Sequence, residues 1–315
     1  MESPIKAGAV QMEARVGDIA GNLEKAERLL DEAASKGARL IILPEFFPSA
    51  AAFDPSLLGA ALEMNGKASA LLASKARQHQ AYVGGSFIAS REGRRFNTFV
   101  LAMPDGGTAT HDKDLPTMWE NCYYEPGSDD GVLDTPLGHM GAVLCWEFIR
   151  NRTVHRLLGR VDCVVGGSCW WTVPMNWPPA VFWQWLHRRN ERLMAAAPST
   201  LARILGVAVV HAAHAGSFTA DMPLMPGVPY SSFFLGETQI VDRSGAIAAR
   251  MRREDGEGVI TADITLGRAA PSMACTAAFW IPRLPVLFRI VWTYQNIHGR
   301  RYYTRAMRGG RLNIP

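Results

Sequence analysis

Residues 141–147 read Gly141-Ala142-Val143-Leu144-Cys145-Trp146-Glu147, an apolar run that ends in a cysteine and turns polar soon after it. The run is too short for a helix and has the composition of a buried strand. Reactive side chains collect at the carboxyl ends of strands in open α/β sheets, so the pattern predicts Cys145 at the rim of a sheet. A lone cysteine after an apolar run is more often an inert core residue, so a nucleophilic role for Cys145 depends on the rest of the chain.

Strands and helices alternate on both sides of this stretch. Asn22 is predicted to cap the first helix, and Gly37 to end it. Alternation of this kind indicates an α/β fold. We expect one domain over residues 1–270, followed by a tail over 271–315. The predicted helices cover 22–35, 68–80 and 151–160, and the predicted strands cover 5–12, 39–43, 81–88, 97–103, 108–111, 161–168, 207–213, 232–242, 246–251 and 259–265.

The composition is that of an ordinary globular protein, with 48% hydrophobic and 20% charged residues in a chain of 315. The five cysteines are odd in number, and none has zinc-ligand spacing with another cysteine or a histidine. These features argue against a disulfide framework and a structural metal, and they predict a reducing, cytoplasmic location. The first residues lack the apolar core of a signal peptide, which agrees with that prediction.

Charge is distributed unevenly along the chain. Residues 264–315 carry eight of the 33 basic residues and none of the 29 acidic ones. A basic tail on a mildly acidic body could bind nucleic acid, anionic lipid or an acidic face of a second subunit. The apolar stretch 277–292 is shorter than the roughly 20 residues that span a bilayer, so any membrane contact would be at the surface. One basic and aromatic cluster at 300–303 is weak support for nucleic acid, which we do not expect as a partner.

Glu45 and Lys113 share the placement of Cys145, because each follows an apolar strand or hairpin. Separately, Glu45 could cap a helix and Lys113 could be a solvated loop lysine. Together the three residues supply what thiol chemistry needs. A thiol is weakly ionised at neutral pH, so Glu45 is a candidate base if burial raises its pKa. Lys113 and the backbone N–H of Trp146 are candidates to stabilise the charge that builds up on an attacked carbonyl or nitrile.

A histidine base is the alternative to Glu45. His111 lies beside Lys113, whereas His211 and His214 are three residues apart and therefore face opposite sides of a strand. Isolated histidines are more often structural than catalytic, which favours the carboxylate.

At these residues the sequence resembles the nitrilase superfamily of carbon–nitrogen hydrolases. The order and spacing of Glu45, Lys113 and Cys145 fit the Glu–Lys–Cys triad of that family. Five stretches in the right order cover roughly residues 5–265 and make the resemblance specific. They are Ile42-Leu43-Pro44-Glu45-Phe46-Phe47; His111-Asp112-Lys113; the segment from Lys113 through Pro116, Thr117 and Glu120 to Tyr124 and Gly127; Val143-Leu144-Cys145-Trp146-Glu147; and the late hairpin Gly236 to Gly245.

The resemblance implies a four-layer αββα sandwich with two mixed central sheets, and pairing of subunits into a homodimer or a higher even oligomer. It implies no metal and no organic cofactor. It also implies a thioimidate or acyl-enzyme intermediate on Cys145, hydrolysed by water that Glu45 activates. Glu120 would align Lys113 or the attacking water, with a simple helix-start carboxylate as the alternative. Because family tails often pack across a dimer, we expect the tail to do so.

The substrate is less well defined than the triad. Trp146, Trp170 and Trp171 are predicted to form an aromatic wall, with a core or dimer contact as the alternative. Arg150 could bind a substrate carboxylate, although a solvated arginine at a helix start is the more common case. Residues 172–200 look like an insertion, and the usual Arg-x-x-Glu-Asn stretch of the family is replaced by residues 199–203, so an ordinary amidase assignment is in doubt.

The sequence therefore predicts a thiol-dependent hydrolase that converts a small-molecule nitrile or amide to a carboxylic acid and ammonia. An N-carbamoyl amidohydrolase or an amide acyltransferase with the same three residues is the alternative. A binding protein without chemistry is disfavoured by the intact triad, and an interfacial membrane protein rests on the tail alone.

Overall fold

The computed structural model describes residues 3–222 and 225–308. The described residues form a mixed α/β fold, as the sequence predicts. The elements are β1 (Ser3–Met12), α1 (Ile19–Ser35), β2 (Leu40–Ile42), β3 (Leu62–Glu63), α2 (Lys67–His79), β4 (Tyr82–Arg91), β5 (Arg94–Ala102), β6 (Thr108–Asp112), β7 (Val132–Thr135), β8 (Gly138–Leu144), α3 (Asn151–Leu157), β9 (Cys163–Ser168), α4 (Ala180–Leu205), β10 (Ala208–His214), β11 (Ser217–Met222), β12 (Met225–Phe233), β13 (Gly236–Val241), β14 (Ile247–Arg252), β15 (Gly258–Leu266) and α5 (Val286–Arg308).

One large mixed sheet dominates the fold. Its 13 strands include the path β6-β5-β4-β2-β1-β10-β9-β8-β7, with β15 paired to β1 and β13 paired to β10. The two halves of this path join where the ends of β1 and β10 run parallel, at Gln11 with Ala213 and Met12 with His214. The sheet is nearly closed into a barrel. Strands β11 and β12 form a separate hairpin.

Apolar side chains from both halves of the sheet share one core cluster. Leu40 and Phe99 contribute from the first half, and Leu144, Val165 and Val210 from the second. A second cluster contains apolar residues of α1 and α2 with the first half, and a third contains residues of α3, α4 and α5 with the second half. The strand ends that carry Glu45 and Cys145 are therefore held by apolar packing on both sides.

The first helix begins earlier than the sequence predicts. Asp18 is its N-cap, because its carboxylate accepts a hydrogen bond from the backbone N–H of Gly21 at 3.1 Å. Asn22 lies inside the helix instead. Its amide donates to the backbone carbonyls of Arg15 and Pro48 at 2.7 and 3.0 Å. Asn22 thus ties α1 to the loop after Glu45 and does not cap the helix.

The largest departures from prediction lie in the insertion and the tail. Residues 180–205 form the long helix α4, and residues 286–308 form α5, neither of which was predicted. The tail packs on its own chain, with α5 against the 3₁₀ helix Met118–Cys122. Residues 309–315 of the predicted tail lie outside the described residues. Within the described ranges, no helix is long and apolar enough to cross a membrane.

Candidate active site

Cys145 stands at a sharp turn between a strand and a helix. Strand β8 ends at Leu144, and a 3₁₀ helix over Cys145–Ile149 begins at once. The backbone φ of Cys145 is +50°, a left-handed conformation that side-chain-bearing residues rarely adopt. Such strain persists only where surrounding structure enforces it and is concentrated at functional sites. The turn leaves Cys145 2% exposed at the base of a cavity.

Glu45 reaches the same place from the loop after β2. The next residue, Phe46, also has a positive φ, of 53°. Strand β9 passes close behind this loop, and a Cβ at Gly167 would lie 2.9 Å from the backbone nitrogen of Glu45. Glycine is therefore needed at 167 for the approach. The neighbouring backbone N–H of Cys169 donates to Glu45 Oε2 at 2.9 Å and fixes the carboxylate.

Lys113 bridges two carboxylates. Its Nζ donates to Glu45 Oε1 at 2.8 Å and to Glu120 Oε2 at 2.7 Å, and all three side chains are largely or wholly buried. One oxygen each of Glu45 and Glu120 and the sulfur of Cys145 lie within 4.8 Å of one another. We call Glu45, Lys113, Glu120 and Cys145 the thiol cluster. It brings together every residue that the sequence analysis assigned to catalysis.

Glu120 has two structural partners besides Lys113. Its Oε2 accepts the backbone N–H of Thr117 at 2.7 Å, which closes a capping box at the start of the 3₁₀ helix Met118–Cys122. The hydroxyl of Tyr124 also donates to it. The carboxylate therefore serves as a helix-start group and as a ligand of the Lys113 ammonium, so the two interpretations of Glu120 are compatible.

The protonation states follow from burial and from this single ammonium. Burial raises the pKa of Glu45 to about 7, although Lys113 works against the rise. Burial would lower the pKa of Lys113, but the charges of Glu120 and Glu45 outweigh it and hold the pKa well above its ordinary value. Burial, reinforced by the charge of Glu45, raises the pKa of the Cys145 thiol well above its ordinary value. These shifts favour a neutral thiol and an ammonium at neutral pH, beside a carboxyl group whose pKa is about 7.

Among the described residues, Glu45, Glu120 and Cys145 are the group whose donor atoms are close enough to bind a metal ion. The Lys113 ammonium already occupies the position between the two carboxylates at hydrogen-bond distance. A metal ion would have to displace it or be repelled by it. These donors are accordingly better suited to holding an ammonium than a cation from solution.

A second ionic group, which we call the Glu147 cluster, contains the buried His111 and Glu147, the largely buried Arg156 and the exposed Asp129. The imidazole of His111 contacts Asp129 through Nδ1 and Glu147 through Nε2, the latter at 3.2 Å. Arg156 donates to Glu147 Oε1 at 2.9 Å. Glu147 also accepts the backbone N–H groups of Asp114 and Leu144 at 3.0 and 2.8 Å. It therefore ties the Lys113 loop to the Cys145 turn.

The three histidines considered as bases have other partners. His111 belongs to the Glu147 cluster, and its pKa is raised to about 9, because the charge of Glu147 outweighs burial. His211 contacts Ser168 Oγ and the carbonyl of Glu237, and His214 contacts the carbonyl of Glu45. Burial lowers the pKa of His211 and of His214 to about 4. None of the three is among the residues that line the cavity at Cys145.

A cavity of about 320 Å³ opens onto Cys145 and Glu120. Trp146, Trp170 and Trp171 all line it, with the rings of Trp146 and Trp170 5.7 Å apart between centroids. Trp171 meets Phe53 edge to face at 4.5 Å. Further walls come from α4 and from α5, which were not expected to contribute. The cavity lies at the low end of the size range of small-molecule sites.

Arg150 does not line this cavity. Its guanidinium is fully buried and donates to Asp114 Oδ1 at 2.5 Å, to the carbonyl of Leu115 at 3.1 Å and to Thr117 Oγ1 at 3.3 Å. It is neither a solvated helix-start arginine nor directed at the thiol. These contacts connect it to the loop between Lys113 and Glu120.

Comparison with known proteins agrees with this arrangement. The family model for carbon–nitrogen hydrolases matches residues 6–272. The chain belongs to the carbon–nitrogen hydrolase family.

This hydrolase is 30% identical over 297 residues to the bifunctional nitrilase/nitrile hydratase NIT4B of Nicotiana tabacum, covering 84% of this chain and 79% of that protein. Its fold is similar to that of a carbon–nitrogen hydrolase from Helicobacter pylori G27, with a TM-score of 0.70, 19% identity and coverage of 83% and 89%. It is also similar to the amidase of Nesterenkonia sp. AN1 in complex with acrylamide, with a TM-score of 0.59, 18% identity and coverage of 82% and 90%. The chain is thus an enzyme of the nitrilase or amidase type.

The sequence analysis missed two contributors to this hydrolase site. Asn97 at the site donates from Nδ2 to Glu45 Oε1 at 2.8 Å, and it received no role although it opens a predicted strand. The other contributor is α5, which lines the cavity through Leu287, Phe288 and Gln295. No local motif marks these tail residues, because they reach the cavity only through the tertiary fold, which packs α5 against the 3₁₀ helix Met118–Cys122.

Proposed function

We propose that this carbon–nitrogen hydrolase converts uncharged nitriles or amides to carboxylic acids and ammonia through a covalent intermediate on Cys145. The observation that carries the proposal is the thiol cluster, in which a buried thiol, a carboxylate with a pKa of about 7 and an ammonium share one small volume. A base that titrates near neutral pH is best matched to taking and returning a proton.

In the first half of the reaction, the Cys145 sulfur attacks the electrophilic carbon as Glu45 takes the thiol proton. With a nitrile, the proton passes on to nitrogen and a thioimidate forms. With an amide, the proton passes to the leaving nitrogen, ammonia departs and a thioester forms. Because the resting thiol is neutral, proton removal accompanies attack rather than preceding it.

In the second half, water attacks the intermediate and Glu45 again takes the proton. A thioimidate loses ammonia after this addition and becomes a thioester, and a further water releases the acid and restores the thiol. The Lys113 ammonium and the backbone N–H of Trp146 stabilise the negative charge that builds up on nitrogen or oxygen. Losing one such donor typically costs about 3–4 kcal/mol of barrier. Glu120 positions Lys113 for this role.

The cavity supports an apolar, aromatic acyl group. Within the described residues, Glu120 is the one charged side chain in its lining, and it is already paired with Lys113. A carboxylate or ammonium on the substrate would find no unpaired opposite charge there and would lose its hydration. Trp146, Trp170 and Trp171 are proposed as substrate contacts, since their rings suit a planar group. Arg150, with its internal partners, is not retained in this role.

A panel of neutral aryl nitriles, the matching amides and N-carbamoyl compounds tests the proposal by ammonia release. We expect activity with nitriles or amides in the wild-type protein and none in Cys145→Ala. Product analysis with a competing amine separates hydrolysis from acyl transfer, since transfer would yield a substituted amide. Turnover that survives Cys145→Ala would contradict the proposal.

We also infer the finer architecture and assembly. The core shared by the two sheet halves, with helix clusters beyond each half, supports a four-layer αββα arrangement. The face of α5 that bears Val286, Ile290 and Ile297 is exposed, which supports a homodimer or a higher even oligomer. Light scattering of the purified protein tests this, and a monomer at micromolar concentration would contradict it.

A further inference from the structure

A second cavity, of about 410 Å³, shares no lining residue with the cavity at Cys145. It lies between the end of the 3₁₀ helix Cys145–Ile149, the middle of α4 and residues 281–285, which precede α5. The backbone N–H of Ile281 donates to the carbonyl of Ile149 at 2.9 Å and joins the tail to the 3₁₀ helix. We call this cavity the arginine groove. Its volume lies in the range of small-molecule sites.

The charged side chains that line the arginine groove all carry the same sign. Arg189 and Arg192 come from α4 and Arg283 comes from the tail, and no acidic residue of the described chain is in the lining. The three side chains are exposed, and none forms an ion pair or a hydrogen bond with another described residue. A cleft lined by charges of one sign concentrates ions of the opposite sign. The groove is therefore suited to an anion.

An aromatic ring holds one of these arginines without using its hydrogen-bond donors. The guanidinium carbon of Arg189 lies 5.0 Å from the centroid of the Trp185 ring. Stacking of this kind engages the face of the guanidinium group and leaves the N–H groups at its edge available for an anion. Arg189 can thus keep its contact with Trp185 while it binds a ligand.

The rest of the groove is largely apolar. Phe148 and Ile149 line it from the 3₁₀ helix, Leu193 and Ala197 from α4, and Ile281 from the tail. An inorganic anion would leave this apolar surface in contact with water, and a neutral molecule would leave the guanidinium groups without a partner. A ligand that uses both parts of the lining has an anionic group and an apolar body.

We propose that the arginine groove binds a small amphipathic anion, in which one anionic group is attached to an alkyl or aryl body. The guanidinium groups bind the anionic group, and the apolar side chains pack against the body. Within the described residues, the lining of the cavity at Cys145 contains no arginine or lysine, so the two cavities suit ligands of different charge. This inference goes beyond the proposed function, because it involves neither Cys145 nor turnover.

Isothermal titration calorimetry of the whole chain with phenylacetate tests the inference. We expect saturable binding at one site, and at least about tenfold weaker binding of acetate, which has the charge without the apolar body. Arg192→Gln and Arg283→Gln should each weaken the binding of phenylacetate by about tenfold, because each removes a charge-assisted hydrogen bond. Ala196→Trp, at an exposed position in the lining, should weaken it to a similar extent by filling the groove.

Arg188→Gln is the matched control, because Arg188 is an exposed arginine of α4 outside the lining. The affinity should stay within about twofold of the wild-type value if the groove, and not the general positive charge, binds the anion. An equal loss in Arg188→Gln, or acetate binding as tight as that of phenylacetate, would overturn the inference.

Two other results would also overturn it. Binding that survives Arg192→Gln, Arg283→Gln and Ala196→Trp would place the anion elsewhere on the protein. If the wild type binds no phenylacetate and Ala196→Trp converts an oligomer to a monomer in light scattering, the groove is a contact between subunits. Since phenylacetate binding requires no turnover, failure of the proposed function would leave the expected result unchanged.

Discussion

The thiol cluster and the Glu147 cluster are both ionic groups around a buried carboxylate, and both contact the loop that carries Lys113. In the Glu147 cluster, Arg156 and a protonated His111 surround the carboxylate, and despite burial they hold the pKa of Glu147 well below its usual range. In the thiol cluster, one ammonium serves two carboxylates, and Glu45 keeps a pKa of about 7. The Glu147 cluster therefore holds its carboxylate ionised, whereas in the thiol cluster Glu45 can gain or lose a proton near neutral pH.

This difference assigns the two clusters different roles. The Glu147 cluster positions the active-site loops, and the thiol cluster carries out the chemistry. Glu147 accepts N–H groups from both the Lys113 loop and the Cys145 turn, so it sets the geometry without reaching the cavity. Cys145 and Glu120 line the cavity directly. Loss of the uncharged Cys145 thiol should therefore remove activity and spare the fold, and loss of the Glu147 charge should weaken the fold.

The largest effect is expected from Cys145→Ala. The substitution removes the nucleophile, and we expect turnover of a neutral aryl nitrile or amide to fall by at least about 10⁴-fold. The unfolding temperature should change little, because the substitution removes a single sulfur atom that borders the cavity. Ammonia release and calorimetry measure the two effects. Cys163→Ala, at a buried cysteine of β9 away from the cavity, is the matched control and should retain most of the activity.

The next effect is expected from Glu147→Gln. Loss of this charge leaves Arg156 without its carboxylate partner and His111 with Asp129 alone. Removing one partner of a buried pair typically costs about 3–5 kcal/mol. We expect that loss in the free energy of unfolding in urea. Asp134→Asn, which disturbs an exposed pair with His139, should cost less than about 1 kcal/mol. Equal losses in the two variants would erase the distinction between the clusters.

A smaller effect is expected from pH. The reaction needs ionised Glu45, whose pKa is about 7, so kcat/KM should fall about tenfold per pH unit well below pH 7. In Glu45→Gln the residual kcat/KM should be low and should not show this fall below pH 7, which is the acid limb of the pH profile. A limb near pH 7 that persists in Glu45→Gln would assign the titration to another group.

The smallest effect concerns stability at alkaline pH. The folded-state pKa of His111 is raised to about 9, above its ordinary value of 6.5. Its contribution is therefore fully present below about pH 6.5 and is lost as pH rises through 9. Unfolding free energies measured from pH 6 to pH 9.5 should decline more steeply in the wild type than in His111→Gln. Parallel curves would show that His111 is not protonated in the fold.

Glu45, Lys113 and Cys145 could be predicted to lie together because each follows an apolar strand or hairpin. Strand ends converge at one edge of the sheet, so local patterns around Glu45, Lys113 and Cys145 carry the information. The fourth member, Glu120, follows no strand, and its role was expected only because its segment resembles that of the family. The α/β class followed from the same alternation of apolar runs.

The cavity could not be predicted in this way. The prolines before α4 and the mixture of arginine and aromatic residues in α5 obscure the helical periodicity of both segments. Phe288 lines the cavity with Cys145 across a separation of more than 140 residues in the chain, which no local pattern records. Arg150 shows the same limit, since its place near the nucleophile in the sequence suggests substrate binding, whereas in the structure it pairs with Asp114.

Mass spectrometry of the enzyme quenched with acid during turnover tests the central claim most directly. With phenylacetonitrile or phenylacetamide as substrate, we predict a mass increase equal to the acyl or imidoyl group. Peptide mapping should locate it on the peptide that contains Cys145. An adduct on a different residue, or continued turnover by Cys145→Ala with no adduct, would contradict the claim.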